Sequence, residues 1–347
     1  MQTYYLPEFE YHPKKMIKSI YFLLPMFFLA VLGCGSGISD SNQTAAEEST
    51  TIAAPVIPTF IADSAYRFVE KQVAFGPRVP NTDAHRECGD WLEQSLRRFA
   101  DTVYVQTARL RAFDGTILNA RNFIGSFQPD NHNRILLCAH WDSRPWADHD
   151  PDPANHYKPV LGANDGASGV GVLLEIARLL SESKPGVGVD IIFFDAEDYG
   201  KHRLMNVPDQ DSWALGSQFW ANNPHKSDYF ARFGILLDMV GAENATFKHE
   251  GYSMMYAPNI VRKVWDVARR EGFGNFFLNR EGGYIIDDHY YINKIRNIPV
   301  INIIDQRDHT PHGFFDYWHT VNDNMENIDK NTLHVVGQTV TTVIYSE

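Results

Sequence analysis

The chain is short of cysteine, of positive charge and of membrane-length apolar runs. Three cysteines in 347 residues cannot build the disulfide framework on which small exported domains rely. Lys and Arg number 31 against 43 Asp and Glu, a net charge of −12. That balance excludes a nucleic-acid binder, because neutralising phosphates takes clustered basic side chains. The apolar run Ile20 to Leu32 has 13 residues, fewer than the ~20 that cross a bilayer. There is no internal repeat. Gly166-Ala167-Ser168-Gly169-Val170-Gly171 reads G-x-x-G-x-G, not the dinucleotide fingerprint; its small residues suit a helix packed close to a sheet. With 44 % hydrophobic and 13 % aromatic residues, wholesale disorder is excluded and a large core is expected.

The front end reads as an export signal. Lys14, Lys15 and Lys18 precede the apolar run, whose length suits a signal-peptide h-region, so residues 1–33 are expected to be a signal peptide, with Met16 a candidate start. Val31-Leu32-Gly33-Cys34 resembles a bacterial lipobox, which implies that Cys34 is lipidated and becomes the mature N-terminus. One acyl chain binds a bilayer only marginally, at ~10⁴ M⁻¹, and such a cysteine normally carries several. Residues 34–59, rich in Ser, Thr, Ala, Glu, Gly and Pro, read as a lipidated tether, and 60–347 as one catalytic domain. These features predict an exported bacterial lipoprotein, anchored to the membrane through Cys34 in the periplasm or cell envelope. A monomer is expected.

Within the domain, Ile61, Ala65, Phe68, Val69 and Val73 share a helical face, and Gly76-Pro77 ends that helix. Thr82 to Phe99 is a second helix. Val103–Leu110 and Ile117–Phe127 alternate as antiparallel strands about Asp114-Gly115. Short apolar runs at 135–139, 190–194, 235–237 and 298–304 read as strands covered on both faces. Helices are expected over 164–180, 258–270 and 331–345. Buried strands alternating with helices predict a single α/β domain, a mostly parallel central sheet with helices on both faces. Sites in such sheets lie at the carboxyl ends of the strands.

Acids and imidazoles occupy those ends. The first three apolar runs close on His140-Trp141-Asp142, Asp195-Ala196-Glu197-Asp198 and Leu237-Asp238, and Asp165 opens a glycine-rich helix. Asp287-Asp288-His289 and Trp318-His319 follow. Any one of these residues fits an ordinary strand end or cap; it is their joint placement that points to a site. Carboxylates with imidazole and no suitable cysteine fit Zn²⁺ in an O/N site with an open position, with Asp165, Asp198, His319, His140 and Asp238 as candidate ligands. Glu197 and Asp198, adjacent in a loop, do not easily bind one ion together, so one can ligate while the other moves protons. His309-Thr310-Pro311-His312 reads as a loop over the site, Gly282-Gly283 as a mobile turn with unusual backbone angles, and Cys88 and Cys138 as unpaired thiols.

Taken in order, His140-Trp141-Asp142-Ser143, Gly162 to Gly169, Phe194 to Asp198, Leu236 to Gly241, Asp287-Asp288-His289 and Trp318-His319-Thr320 resemble the co-catalytic zinc aminopeptidase superfamily, and within it the bacterial glutaminyl cyclases. The resemblance covers about residues 60–347 and includes Phe75 to Pro80 and Asn322-Asp323-Asn324. It implies the zinc aminopeptidase-like α/β/α fold and one zinc held by Asp165, Asp198 and His319. It also implies Glu197 as general acid/base, Asp238 and Asp287 as a hydrogen-bonded acidic pair, and Trp318 and Trp213 as aromatic walls. Animal cyclases carry Glu where this chain has Asp198.

The reaction implied is cyclisation of the N-terminal Gln of peptides and proteins to pyroglutamate with release of ammonia. The rival reading is a zinc aminopeptidase, since His140 and Asp238 would complete a second metal position bridged by Asp165. Trp318 beside His319, and the paired Asp287-Asp288, favour cyclisation. A fold kept only as a binding module is disfavoured by the intact Glu197 and ligand set.

Overall fold

The structure, a computed structural model, describes residues 56–206 and 211–347. The signal segment, Cys34 and the tether up to residue 55 lie outside the described residues. Two helices, α1 (Ala62–Val73) and α2 (Asp83–Phe99), precede the hairpin β1 (Thr102–Arg111) and β2 (Ile117–Phe127). β3 (Arg134–His140), α3 (Ala167–Glu182), β4 (Gly188–Phe194), α4 (Leu215–Asn222) and β5 (Gly234–Asp238) follow. Next come β6 (Phe247–His249), α5 (Gly251–Tyr256), α6 (Pro258–Arg270), β7 (Phe277–Glu281) and α7 (Asp288–Tyr291). A π-helical turn (Ile292–Arg296), β8 (Val300–Ile304) and α8 (Lys330–Tyr345) complete the chain.

Local chemistry sets these boundaries. Ala65 and Val69 are the buried face of α1. The Thr82 hydroxyl caps α2 by accepting the His85 N–H at 3.2 Å. The hairpin turns where expected: Gly115 takes φ +86° and the Asp114 carboxylate accepts the Thr116 N–H at 2.9 Å. The predicted helix over 164–180 starts three residues late. The Asp323 carboxylate accepts the N–H groups of Asn164 and Asp165 at 2.7 and 3.1 Å, which holds both residues out of α3.

The main sheet has six strands in the order β1-β2-β4-β3-β5-β8. The β1·β2 and β2·β4 pairs are antiparallel; β4, β3, β5 and β8 run parallel. Every residue of those four parallel strands is buried. Alternate residues go to opposite faces, as pleating requires. Ile135, Leu137 and Ala139 join a large core with α1, α2, α3, α6 and α8. Leu136 and Cys138 join a smaller one with Trp220 of α4 and Ile292. The expected covered, mostly parallel sheet is therefore observed, with helices on both faces. Gly169 explains how α3 lies so close, because a Cβ there would come within 2.2 Å of the Leu237 carbonyl oxygen.

α4, α5 and the separate two-stranded sheet β6·β7 were not anticipated. All are short, and the β7 sequence Phe-Leu-Asn-Arg-Glu has one buried residue and no alternation. Gly282 and Gly283 do not take positive φ. Close approach explains them better: the Gly283 N–H donates to the Gln306 side chain at 2.8 Å, and a Cβ on Gly282 would strike it. Among the described residues Cys88 and Cys138 are free and buried, as expected.

Candidate active site

The carboxyl ends of the four parallel strands share one edge of the sheet, and the acidic and imidazole groups collect there. β3 ends on His140, whose Nε2 lies 3.0 Å from Asp165 Oδ1 and 3.2 Å from Asp238 Oδ1, at the end of β5. Gly166 makes this approach possible, since a Cβ would come within 2.4 Å of His140 Nε2.

β4 leads into a tight turn that places two neighbouring acids differently. The Asp195 carboxylate accepts from His85 Nε2 at 2.9 Å and from the N–H groups of Arg121 and Ala196 at 2.6 and 2.8 Å. Ala196 is bent to φ +53°. The Asp142 carboxylate accepts the Glu197 N–H at 3.0 Å and the Asp198 N–H at 3.1 Å. Held in this way, Asp198 reaches His319, while Glu197 lines the same cavity outside that donor group. Met239, Ala214 and His319 also take positive φ, at +51°, +55° and +54°. Left-handed backbone at non-glycine residues costs of order 1 kcal/mol each, and here it falls beside Asp238 and Trp213 and on His319 itself.

Asp165, Asp198 and His319 are buried and offer three atoms within 4.8 Å of one another. His319 Nε2 lies 3.3 Å from Asp198 Oδ1 and 3.6 Å from Asp165 Oδ2. Tetrahedral zinc with bonds of ~2.0–2.1 Å needs ligand atoms roughly 3.3–3.4 Å apart. Among the described residues the buried Asp198 Oδ2 has no hydrogen-bond partner, and burial followed by the Asp165 charge pushes its carboxyl up to about 6. Two buried acids and an imidazole at this spacing, with an oxygen left over, fit a divalent zinc ion. His140, Asp165 and Asp238 form a second such group, but at the shorter distances of direct hydrogen bonds.

His319 is braced from behind. Its Nδ1 is 3.5 Å from Asp148 Oδ1, and the buried Arg144 binds both Asp148 oxygens at 3.1 and 2.7 Å. Burial opposes the Asp148 charge, but His319 and Arg144 outweigh it and hold its carboxyl well below the usual range. Arg144 also donates to the Asp198 carbonyl at 3.0 Å. Asp148 and Arg144 were not anticipated. In the sequence Asp142 and Asp323 stand out only as parts of motifs, yet each fixes the backbone of a ligand.

Glu197, Asp238 and Asp287 line one cavity of about 620 Å³ together with Asp165, Asp198, His319, Trp213 and Trp318. His140 lies behind it, against Asp165 and Asp238. Burial first, then the charges of Asp287 and Asp198, push Glu197 well above the usual carboxylate range despite His140. Burial, against the His140 hydrogen bond, and the nearby Asp287 and Asp165 push Asp238 up to about 7. Asp287 caps α7; its oxygens accept from the Asp288 N–H and from Asn302 Nδ2, the latter at 2.6 Å. The Trp318 ring stacks on His319 with centroids 3.8 Å apart, and Trp213 lies near-parallel to His319 at 6.1 Å. His312 lines the cavity, 5.1 Å from Trp318, whereas His309 is exposed and pairs with Asp316. The loop expected over the site thus contributes one imidazole to it.

Residues 122–344 match the model of Peptidase family M28. A Zn-dependent exopeptidase from Parabacteroides distasonis is 57 % identical with a TM-score of 0.83, over 84 % of this chain and 100 % of its own. A glutaminyl cyclase from Bacteroides thetaiotaomicron, solved bound to N-acetylhistamine, is 55 % identical with a TM-score of 0.83, again over 84 % and 100 %. The glutaminyl-peptide cyclotransferase of Bos taurus is 26 % identical over 247 residues, 61 % of this chain and 62 % of its own length. The chain therefore spans less than two thirds of that curated relative.

Proposed function

The chain belongs to peptidase family M28, and on that premise we propose that it is a zinc-dependent glutaminyl-peptide cyclotransferase, acting on the N-terminal Gln of peptides and proteins. The observation that carries this reading is the Glu197-Asp198 turn. It sets one carboxylate among three zinc-spaced donors and the next in a cavity walled by Trp213 and Trp318. Similarity to solved glutaminyl cyclases supports it.

Asp165, Asp198 and His319 would hold a single zinc ion. Bound there, zinc supplies Lewis-acid polarisation of the γ-amide carbonyl. Glu197 takes a proton from the attacking α-amine and returns it to the departing nitrogen, which leaves as ammonia when the new C–N bond has formed and the old one has broken. Asp238, which bonds His140, and Asp287, which accepts from Asn302, line the same cavity and orient the amide nitrogen; where the two carboxylates approach each other they share a proton. Trp213 and Trp318 enclose the forming ring and exclude water. Folding the side chain over its own amine supplies the positioning. On the sequence alone, we also propose lipid anchoring at Cys34 in the cell envelope, and a monomer.

A zinc aminopeptidase is the second reading, favoured by the His140–Asp165–Asp238 group, which would give Asp165 a bridging role between two ions. Incubating the protein with a Gln-peptide and with Leu-anilide separates the two. Ammonia from the first supports cyclisation. Aniline from the second without ammonia from the first replaces it with the peptidase.

A further inference from the structure

The cavity holding Glu197 is larger than one glutamine residue requires. Its volume of about 620 Å³ is in the range of sites that enclose whole drug-sized molecules. A residue bound there is still joined to a chain that must leave through the mouth. One side of that mouth is Tyr284 and Ile286, 66 % and 49 % exposed. The Tyr284 ring lies over Gly251, where a Cβ would come within 2.6 Å of it, and meets Tyr252 edge to face at 5.1 Å. Tyr252 packs on Tyr290 at 4.5 Å, and the Lys294 ammonium stands 5.1 Å from that ring. The ledge is tied down, since Gly251 N–H donates to the Gly283 carbonyl at 2.9 Å and Ile285 N–H to Glu250 at 3.0 Å.

The same lining includes Lys248, Arg307 and Asp308, whose charges are already met. Lys248 pairs with Asp308, and Arg307 with Asp305 and Asp316 at 2.9 and 2.7 Å. Among the described lining residues the uncovered apolar surface is Tyr284 and Ile286, with the exposed acid Glu281 near them in the chain. Exposed apolar patches mark interaction sites, and a fixed tyrosine ring offers a stacking face with little entropy left to lose.

We infer that the ledge of Tyr284 and Ile286, backed by Tyr252 and Tyr290, binds the residues that follow the N-terminal glutamine and selects an aromatic side chain there. The inference rests on the cyclase reading and names the substrate class of that same site. In ammonia-release assays, the better of Gln-Phe-Ala-amide and Gln-Ala-Phe-amide should exceed Gln-Ala-Ala-amide in kcat/KM by about three- to tenfold, the worth of one aromatic contact. Tyr284→Ala should bring that ratio close to one, through KM and not kcat. Tyr284→Phe should keep it. Equal kcat/KM values in the wild type, or a ratio intact in Tyr284→Ala, would overturn the ledge. Calorimetric titration of Glu197→Gln with the same peptides separates the two ideas. No ammonia from any peptide sinks the cyclase reading, whereas equal dissociation constants for the aromatic and alanine peptides sink the ledge.

Discussion

Glu197 and Asp198 are chemically alike and adjacent, yet the fold gives them different surroundings. Both backbone N–H groups are bound by the single Asp142 carboxylate, so neither is free to exchange places with the other. Asp198 meets His319 at 3.3 Å, while Glu197 faces the cavity. Removing one charge should therefore separate metal binding from proton transfer. Glu197→Gln should lower turnover by about 10²–10⁴-fold, the usual worth of a positioned acid/base, with zinc content by elemental analysis unchanged. His319→Ala should lose zinc as well as rate. Undiminished turnover in the first variant, or full zinc occupancy in the second, would remove the corresponding role. The groups that enforce this division left little trace in the sequence. Asp142 and Asp323 act on backbone N–H groups, and Asp148 acts through His319, so each resembles an ordinary capping or surface acid until the chain is folded.

At the scale of elements, α5 and the segment from Gly283 to His289 are joined by one buried carboxylate. Glu250 caps α5 through the N–H groups of Tyr252 and Ser253. It also accepts the Ile285 N–H at 3.0 Å and bonds His289 Nε2 at 2.9 Å. Burial alone would raise its pKa, but the bonds from His289, Ser253 and Ile285 outweigh it and hold the group at about 2. A carboxylate whose folded pKa is depressed stabilises the fold fully above its unfolded value, near 4.5. That stability is lost as pH falls from there through about 2. The shift corresponds to about 3 kcal/mol. Glu250→Gln keeps the shape and loses the titration, so its urea midpoint should fall less steeply than the wild type's below pH 4.5. Parallel curves would refute this, and background titration of other acids is common to both proteins. The strands and long helices around this joint could be read from periodicity and caps. The joint itself could not, because α5 has only six residues and its anchor Glu250 bonds residues more than thirty positions away.

For the whole molecule, the three zinc-spaced donors come from distant parts of the chain. Asp165 precedes α3, Asp198 follows β4, and His319 lies in the stretch between β8 and α8. Parallel strands bring them together, because the sheet turns all four carboxyl ends to one edge, which is why the location of the site was readable while its geometry was not. An ion shared by these donors would tie together three segments that otherwise meet as two buried acids and an imidazole, and it would have no equivalent site in the unfolded chain. Binding to the native state alone stabilises by about 4 kcal/mol when free ligand is a thousandfold above its dissociation constant. For a domain of this size, each kcal/mol moves the melting temperature by roughly 2–4 °C. Removing the metal with a chelator should thus lower the melting temperature of the purified protein by roughly 10 °C, and stoichiometric zinc should restore it. The His319→Ala variant should melt at one temperature with or without chelator. If the wild type shows no shift either, Asp165, Asp198 and His319 do not share an ion, and the zinc chemistry assigned to this edge of the sheet fails with them.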